Sequence, residues 1–191
     1  MSQSAPLFYK KALRFDIPGH VHFLTFSCYR RLPLLTNDLW RGWLAESHTH
    51  ARETLDVALW AYVIMPEHVH LLVRPRREEY RIAEFLQMVK YPVARRAIKQ
   101  LKENAAPLLA QLEVKNREEK IAHRFWQAGG GYDLNLWSMK KIIEKAEYCH
   151  HNPVARRLAK TSIDWRWSSV RWLERGLRES EPVKVDDWIG A

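Results

Sequence analysis

Two short stretches carry residue types that can do chemistry together. In "MPEHVHLLV", His68 and His70 stand two apart; in "KKIIEKAEYCHHNPV", Lys141, Lys145, Tyr148 and Asn152 follow at intervals of four, three and four. On a strand, residues two apart share a face, so two imidazoles can hold one cation between them. On a helix, the second spacing lines up along one face, with a phenol between two ammonium groups and an amide. A phenol is a poor nucleophile near neutral pH, since its pKa is about 10. Lysines and a metal close by would favour both the phenolate and a phosphodiester substrate. A metal would also polarise a scissile phosphate. Asn152 offers a carbonyl oxygen one turn beyond Tyr148 and can complete a His-His-Asn set. Nitrogen and amide-oxygen donors suit Mg²⁺ or Mn²⁺ better than a thiolate-seeking ion. The same patterns also fit polar-face strand histidines and a solvated amphipathic helix with a half-buried tyrosine. A second triplet, His20-Val21-His22, repeats the first one's letters without comparable company.

Several elements must position these groups. "HVHFLTFSC" predicts a first strand over 20–28. Thr36 or Asn37 can cap a helix running to about Glu53, with Leu39, Trp43, Leu44 and His48 on one face. "LDVALWAYVIM" predicts a second strand over 55–64. "HVHLLVRP" predicts a third, joined to it by "MPE" as an antiparallel hairpin. Residues 81–102 read as a second helix with Ile82, Phe85, Leu86 and Val89 buried, kinked or interrupted at Pro92. Residues 103–120 read as a helical insertion. "HRFWQAGGGYDLN" holds a fourth strand and a glycine-rich turn. Residues 137–151 read as a third helix, with Met139, Ile142, Ile143, Ala146 and Cys149 as its core stripe and Pro153 as its end. The order is that of an α+β, ferredoxin-like split βαβ sheet with helices on one face, followed by a C-terminal catalytic helix and a tail over 160–191. One domain accounts for residues 1–191.

Composition narrows the partners. The chain has 191 residues, is 47% hydrophobic and carries a formal net charge of +9. Six Lys or Arg face two Glu within 140–160, whereas the stretch from Glu174 onward has five acids and three bases. A local excess of this kind predicts a polyanion-binding face. Candidate phosphate contacts are Lys141, Lys145, Arg74, Arg76, Arg77, Arg95, Arg156 and Arg157, with Arg30, Arg31 and Arg96 behind them. Trp165 and Trp167 can stack bases or dock the tail on the core. No run reaches the ~20 apolar residues of a membrane span, and "MSQSAPLFYKKALRF" has no apolar signal core, so a cytoplasmic protein is expected. Cys28 and Cys149 make no framework and read as buried thiols.

The "MPEHVHLLV" stretch resembles the HUH motif of small single-tyrosine transposases. "HRFWQ", "EYCHHNPVARRL" and "DWRWSSVRWL" are similar to the RFW, Y-x-x-x-N-P-V and tail elements of the REP-associated tyrosine transposases. The resemblance runs from about residue 15 to residue 173. It implies a nuclease domain for single-stranded or hairpin DNA. Carried over by position, Tyr148 is the nucleophile that forms a 5′-phosphotyrosine, and His68, His70 and Asn152 are metal ligands. His151 and Glu67 stand as supporting residues, the first as a proton shuttle or outer ligand, the second at the turn. His20 and His22 receive no ligand role. Both monomeric and homodimeric relatives exist. Two other readings compete: a non-catalytic nucleic-acid-binding module, and a hydrolase that gathers all four HVH histidines on one metal.

Overall fold

The computed structural model describes residues 15–116, 118–175 and 182–187. The N-terminal stretch 1–14 and parts of the acidic tail lie outside the described residues. The element order is β1 (Val21–Ser27), α1 (Asp38–Leu55), β2 (Val57–Ile64), β3 (His68–Pro75), α2 (Ile82–Glu103), α3 (Leu108–Gln111), β4 (Glu113–Lys115), β5 (Ile121–His123), β6 (Tyr132–Leu136), α4 (Met139–Ala155) and α5 (Val170–Arg175). The main sheet is antiparallel in the order β2-β3-β1-β6. With β6 as the fourth strand and α1 and α2 as crossovers, this is the split βαβ arrangement expected from the element order.

Asn37 caps α1, its Oδ1 accepting from the backbone N–H groups of Leu39 (3.0 Å) and Trp40 (3.3 Å). The face that α1 buries is Trp40, Leu44, His48 and Ala51, whereas Leu39 points outward. The predicted stripe was therefore rotated by one residue at its start. Ile82, Phe85, Leu86 and Val89 of α2 are buried as expected, and α2 runs unbroken through Pro92. Val93, Ala97 and Leu101 continue the buried face beyond the proline, so packing outweighs the one backbone bond lost. α1 and α2 cover one side of the sheet, over Leu24, Phe26, Val69, Leu71 and Val73. α4 covers the other side, with Ile142, Ala146 and Cys149 against Val21, Phe23, Trp60, Val63 and Leu72. Met139 and Ile143, which were expected in that stripe, are exposed.

The 103–120 segment is not the helix its Ala/Leu content predicted. It holds one turn, α3, and then the β4–β5 hairpin. Asn116 closes the hairpin turn, its Oδ1 accepting from the N–H groups of Glu118 and Lys120 at 2.9 Å each. Helix α4 also outlasts its expected stop, including Pro153 and ending at Ala155. Bonds from Arg156 N to Asn152 O (3.0 Å) and from Arg157 N to Val154 O (2.9 Å) close it, with Arg157 left-handed at φ 56°.

The tail docks as its tryptophans suggested. Trp165 Nε1 donates to Ile64 O (3.1 Å) and Trp167 Nε1 to Asp38 Oδ1 (3.0 Å). The outer edge of β2 is answered by the tail: Ile64 N donates to Trp167 O, and Ser169 N to Tyr62 O. Asp186 takes the Leu59 N–H on its side chain and gives its own N–H to Leu59 O. Arg52 also reaches Asp186.

Candidate active site

The register of β1 against β3 decides which histidines meet. Thr25 faces His70, Phe23 faces Leu72 and Ser27 faces His68. All six belong to the side of the sheet that α4 covers, and α4 runs past them with Lys145, Tyr148 and Asn152 turned inward. Between helix and sheet lies a cleft of about 670 Å³ bordered by His68, His70, Lys145, Tyr148, Asn152 and Arg156, with Phe23, Thr25, Arg31, Tyr132 and His151 at its margins. Two stretches some eighty residues apart in the chain thus form one site.

The two imidazoles present their Nε2 atoms to each other at 3.0 Å. Their other nitrogens are engaged. His68 Nδ1 lies 3.1 Å from Glu67 Oε1, and His70 Nδ1 lies 2.7 Å from Thr25 Oγ1. A Nδ1–H donated to the carboxylate or the hydroxyl leaves a lone pair on Nε2, so the two lone pairs point into one gap. Asn152 Nδ2 is 3.3 Å from His70 Nε2, and Asn152 Oδ1 is buried with no hydrogen-bond partner among the described residues. A half-turn of the amide exchanges its oxygen and nitrogen and directs the orphaned carbonyl at the same gap. Two nitrogen lone pairs and one unpartnered amide oxygen fit a divalent cation of the Mg²⁺ or Mn²⁺ kind.

Burial favours the neutral form of both histidines, the form in which an imidazole can ligate a metal. It lowers His70 to about 3, with His68 and Arg31 adding to the effect. It also lowers His68, while Glu67 pulls the other way. Glu67 is therefore more than a turn residue: its Oε1 also accepts from Arg156 Nη2 (2.8 Å), which joins the end of α4 to the first histidine.

Tyr148 is 49% exposed, and its ring centroid lies 5.3 Å from that of His70 and 5.9 Å from that of Phe23. Lys145 Nζ sits 5.6 Å from the Tyr148 ring centre and 5.7 Å from that of Phe23. An exposed phenol, an ammonium and a gap faced by two imidazole nitrogens on one surface can bring a nucleophile to a phosphodiester and offset its charge.

The other predicted phosphate contacts are dispersed. Lys141 points outside the cleft and pairs with Glu144 (2.7 Å). Arg76 is held by Asp56 (3.2 Å) and Asp186 (2.9 Å), and Arg77 donates to Thr54 O (3.1 Å). Arg74 lies over Trp60, Arg95 is exposed on α2, and Arg96 pairs with Glu46. Arg157 is exposed beyond α4. Sequence reasoning missed Phe23, Thr25, Ser27 and Tyr132. The alternation in "HFLTFSC" held the signal for the first three, since a strand beside the histidines must put every second residue against them.

Close approach of β6 to β1 sets the cleft's far wall. Gly131 has φ +77°, and a Cβ there would overlap the Thr25 carbonyl oxygen. Only glycine lets the chain turn into β6 at that point.

The first HVH triplet faces the other way. His22 pairs in register with Val73, on the α1–α2 side, and is fully buried. Its Nδ1 lies 2.8 Å from Asp133 Oδ1 and its Nε2 2.8 Å from Tyr80 Oη, whose hydroxyl donates to Ile17 O (2.7 Å). Burial, with Asp16 and Asp133 nearby, pushes the Tyr80 hydroxyl up to about 12. His22 is thus a tie between β1, β6 and the approach to α2, neither beside the cleft nor at a surface. Strand parity removes the four-histidine metal cluster, and among the described residues no three His, Cys, Asp or Glu side chains converge as a metal-binding group.

A family model described as "Transposase IS200 like" matches residues 18–150. Among solved structures, a REP-associated tyrosine transposase bound to a REP hairpin superposes with a TM-score of 0.65 at 19% identity, covering 94% of this chain and 95% of that one. A candidate transposase from Deinococcus radiodurans R1 aligns at 20% identity over 78% of this chain and 95% of its own, with a TM-score of 0.42. No curated protein matches the chain. No helix among the described residues is long and apolar enough to cross a membrane.

Proposed function

The chain belongs to the IS200-like transposase family, and from that premise we propose that it cuts and rejoins single-stranded DNA beside a hairpin, with Tyr148 as the nucleophile. The observation that carries this reading is the shared cleft of His68, His70, Tyr148 and Asn152 within one chain. The phenol oxygen attacks the scissile phosphorus while the bond to the 3′ oxygen breaks. The phenol loses its proton and the departing oxygen gains one, so the products are a 5′-phosphotyrosine and a free 3′-hydroxyl. His151 borders the cleft one turn from Tyr148 and is the residue type able to take and return that proton. Lys145 and Arg156 supply positive charge to the phosphate on either side of the phenol. His68, His70 and Asn152 would hold Mg²⁺ or Mn²⁺, which when bound polarises the phosphate and offsets the charge that builds on its oxygens. Glu67 and Thr25 hold the two rings with their Nε2 atoms toward one gap, where they would serve as donors to such a cation.

The substrate we infer is a short palindromic hairpin with a single-stranded flank, by analogy with the REP hairpin bound to the structural relative. A labelled hairpin of this kind, incubated with the protein and Mn²⁺, is expected to give a covalent protein–DNA band in denaturing gels. Tyr148→Phe and His68→Ala should each abolish it. DNA binding that is indifferent to chelator and to Tyr148→Phe, with no covalent band from wild type, would replace this reading with that of a binding module.

A further inference from the structure

We propose that Arg31 is a further catalytic residue, whose guanidinium binds a non-bridging oxygen of the scissile phosphate from the sheet side of the cleft. The inference rests on the function proposed above and adds to the charge around its reacting phosphate. Arg31 borders the same cleft as His68, His70, Tyr148 and Asn152. It comes from the turn Tyr29–Arg31, just after β1, whereas Lys145 and Arg156 come from α4 and its C-terminal cap.

The three cations differ in what already holds them. Arg156 pairs with Glu67 (2.8 Å), and Lys145 lies 3.6 Å from Glu144. Among the described residues no carboxylate pairs with Arg31. A guanidinium left unpaired beside a cleft keeps its fork of N–H donors for an incoming oxyanion, and phosphate is an anion whose geometry suits that fork. Burial lowers both His68 and His70, and the Arg31 charge adds to the effect on each. The field that disfavours a proton on those rings also draws a phosphate toward them.

The backbone carries a second, independent observation. Arg30 and Arg31 follow each other in the left-handed region, at φ 53° and 54°, a conformation that glycine adopts freely and arginine rarely does. Such strain persists where the surroundings fix it, and it gathers at functional sites. Here Tyr29 N donates to Phe125 O (2.8 Å) and Arg31 N to Cys28 O (3.0 Å). Cys28 N donates to Glu67 O (2.8 Å), which ties the turn to the residue beside His68. The turn sends its two arginines apart. Arg30 lies over the Tyr29 ring, 5.0 Å from its centre, and Arg31 borders the cleft. Glycine at position 31 would relieve the backbone, whereas arginine there gives the cleft a charge.

The test uses full-length wild type, Arg31→Ala, Arg31→Lys and Arg31→Gly with a labelled hairpin that carries a single-stranded flank. Its scissile phosphate is either natural or a methylphosphonate, in which a methyl group replaces the charged oxygen. On the natural hairpin, Arg31→Ala should form the covalent adduct about a hundredfold more slowly than wild type. Arg31→Lys should recover part of that loss. With the methylphosphonate at the cut, the gap between wild type and Arg31→Ala should largely close, because the charge that the guanidinium answers is gone. A methylphosphonate at the neighbouring position should leave the gap as it was. Arg31→Gly should be as slow as Arg31→Ala, yet unfold at no lower temperature than wild type and bind Mn²⁺ no more weakly. A lower unfolding temperature or weaker Mn²⁺ binding in both variants would make Arg31 a structural residue instead. If Arg31→Ala is as fast as wild type, or the gap closes only for the neighbouring phosphate or for neither, Arg31 does not touch the reacting phosphate and the proposed function stands. If wild type itself forms no adduct, the proposed function fails and this role fails with it.

Discussion

Two glycines at the entry to β6 allow a steric effect to be separated from a conformational one. Gly129 and Gly131 both have positive φ, +88° and +77°. A methyl group on Gly129 meets nothing within 4 Å, whereas one on Gly131 overlaps Thr25 O and lies 3.1 Å from Thr25 C and 3.2 Å from Phe26 Cα. Gly129→Ala therefore bears only the cost of an L-residue in the left-handed region, about 1 kcal/mol. Gly131→Ala bears a similar cost plus an overlap with backbone that no rotamer change can relieve, which adds about 3 kcal/mol at the upper end for overpacking. Urea unfolding of the two variants should place Gly131→Ala roughly 2–3 kcal/mol below Gly129→Ala. The loss has a functional side, because a displaced β6 moves Tyr132 and strains Thr25, whose hydroxyl fixes His70. Equal destabilisation of the two variants would refute the claim that β6 is seated through a contact only glycine allows.

Thr25→Val removes the hydroxyl behind His70 at nearly constant shape; Mn²⁺ titration calorimetry should then give an affinity about tenfold weaker, and an unchanged value would deny Thr25 its orienting role. Burial lowers His48, His70 and His150 to about 3, 3 and 4. Unfolded imidazoles bind protons near pH 6.5, so the unfolded state takes up more protons as pH drops below that value, and stability of the metal-free protein should fall between pH 6.5 and about 3. His48→Leu, which replaces a core ring whose nitrogens have no hydrogen-bond partner among the described residues, should flatten that slope by roughly 1 kcal/mol per pH unit; an unaltered slope counts against the assignment. Ser169 Oγ accepts from Tyr62 N (2.9 Å) and meets His150 Nε2 (2.9 Å), so Ser169→Ala should cost about 1–3 kcal/mol in chemical denaturation.

Much of the fold was legible because it is local. The cap at Asn37, the hairpin over "MPE" and the stripe of α2 are properties of neighbouring residues, and each stands where spacing placed it. The chemistry-bearing groups were legible for the same reason, since two apart on a strand and three or four apart on a helix fix a shared face. What spacing does not encode is which face meets which partner. His20-Val21-His22 and His68-Val69-His70 have the same letters, yet register turns His22 to the helix side and His68 and His70 to the cleft. The arginines failed likewise: Arg76 looks like a phosphate contact until Asp56 and the distant Asp186 arrive beside it. Pro92 and Pro153 misled because a proline's local cost is outweighed where the flanking residues are buried. In 103–120, composition pointed to helix while one asparagine closed a hairpin.

The docking of the tail along β2 also bears on how the molecule behaves as a material. β2 is an edge strand, and its eight residues, VALWAYVI, are all buried. An apolar edge of that length is a template for pairing with another chain. Trp167, Ser169 and Asp186 occupy the backbone groups of Leu59, Tyr62 and Ile64 that a second molecule would seize. A chain cut near residue 160 would retain every residue of the cleft and still be expected to precipitate, because the residues that cover the β2 edge, Trp167, Ser169 and Asp186, would be gone.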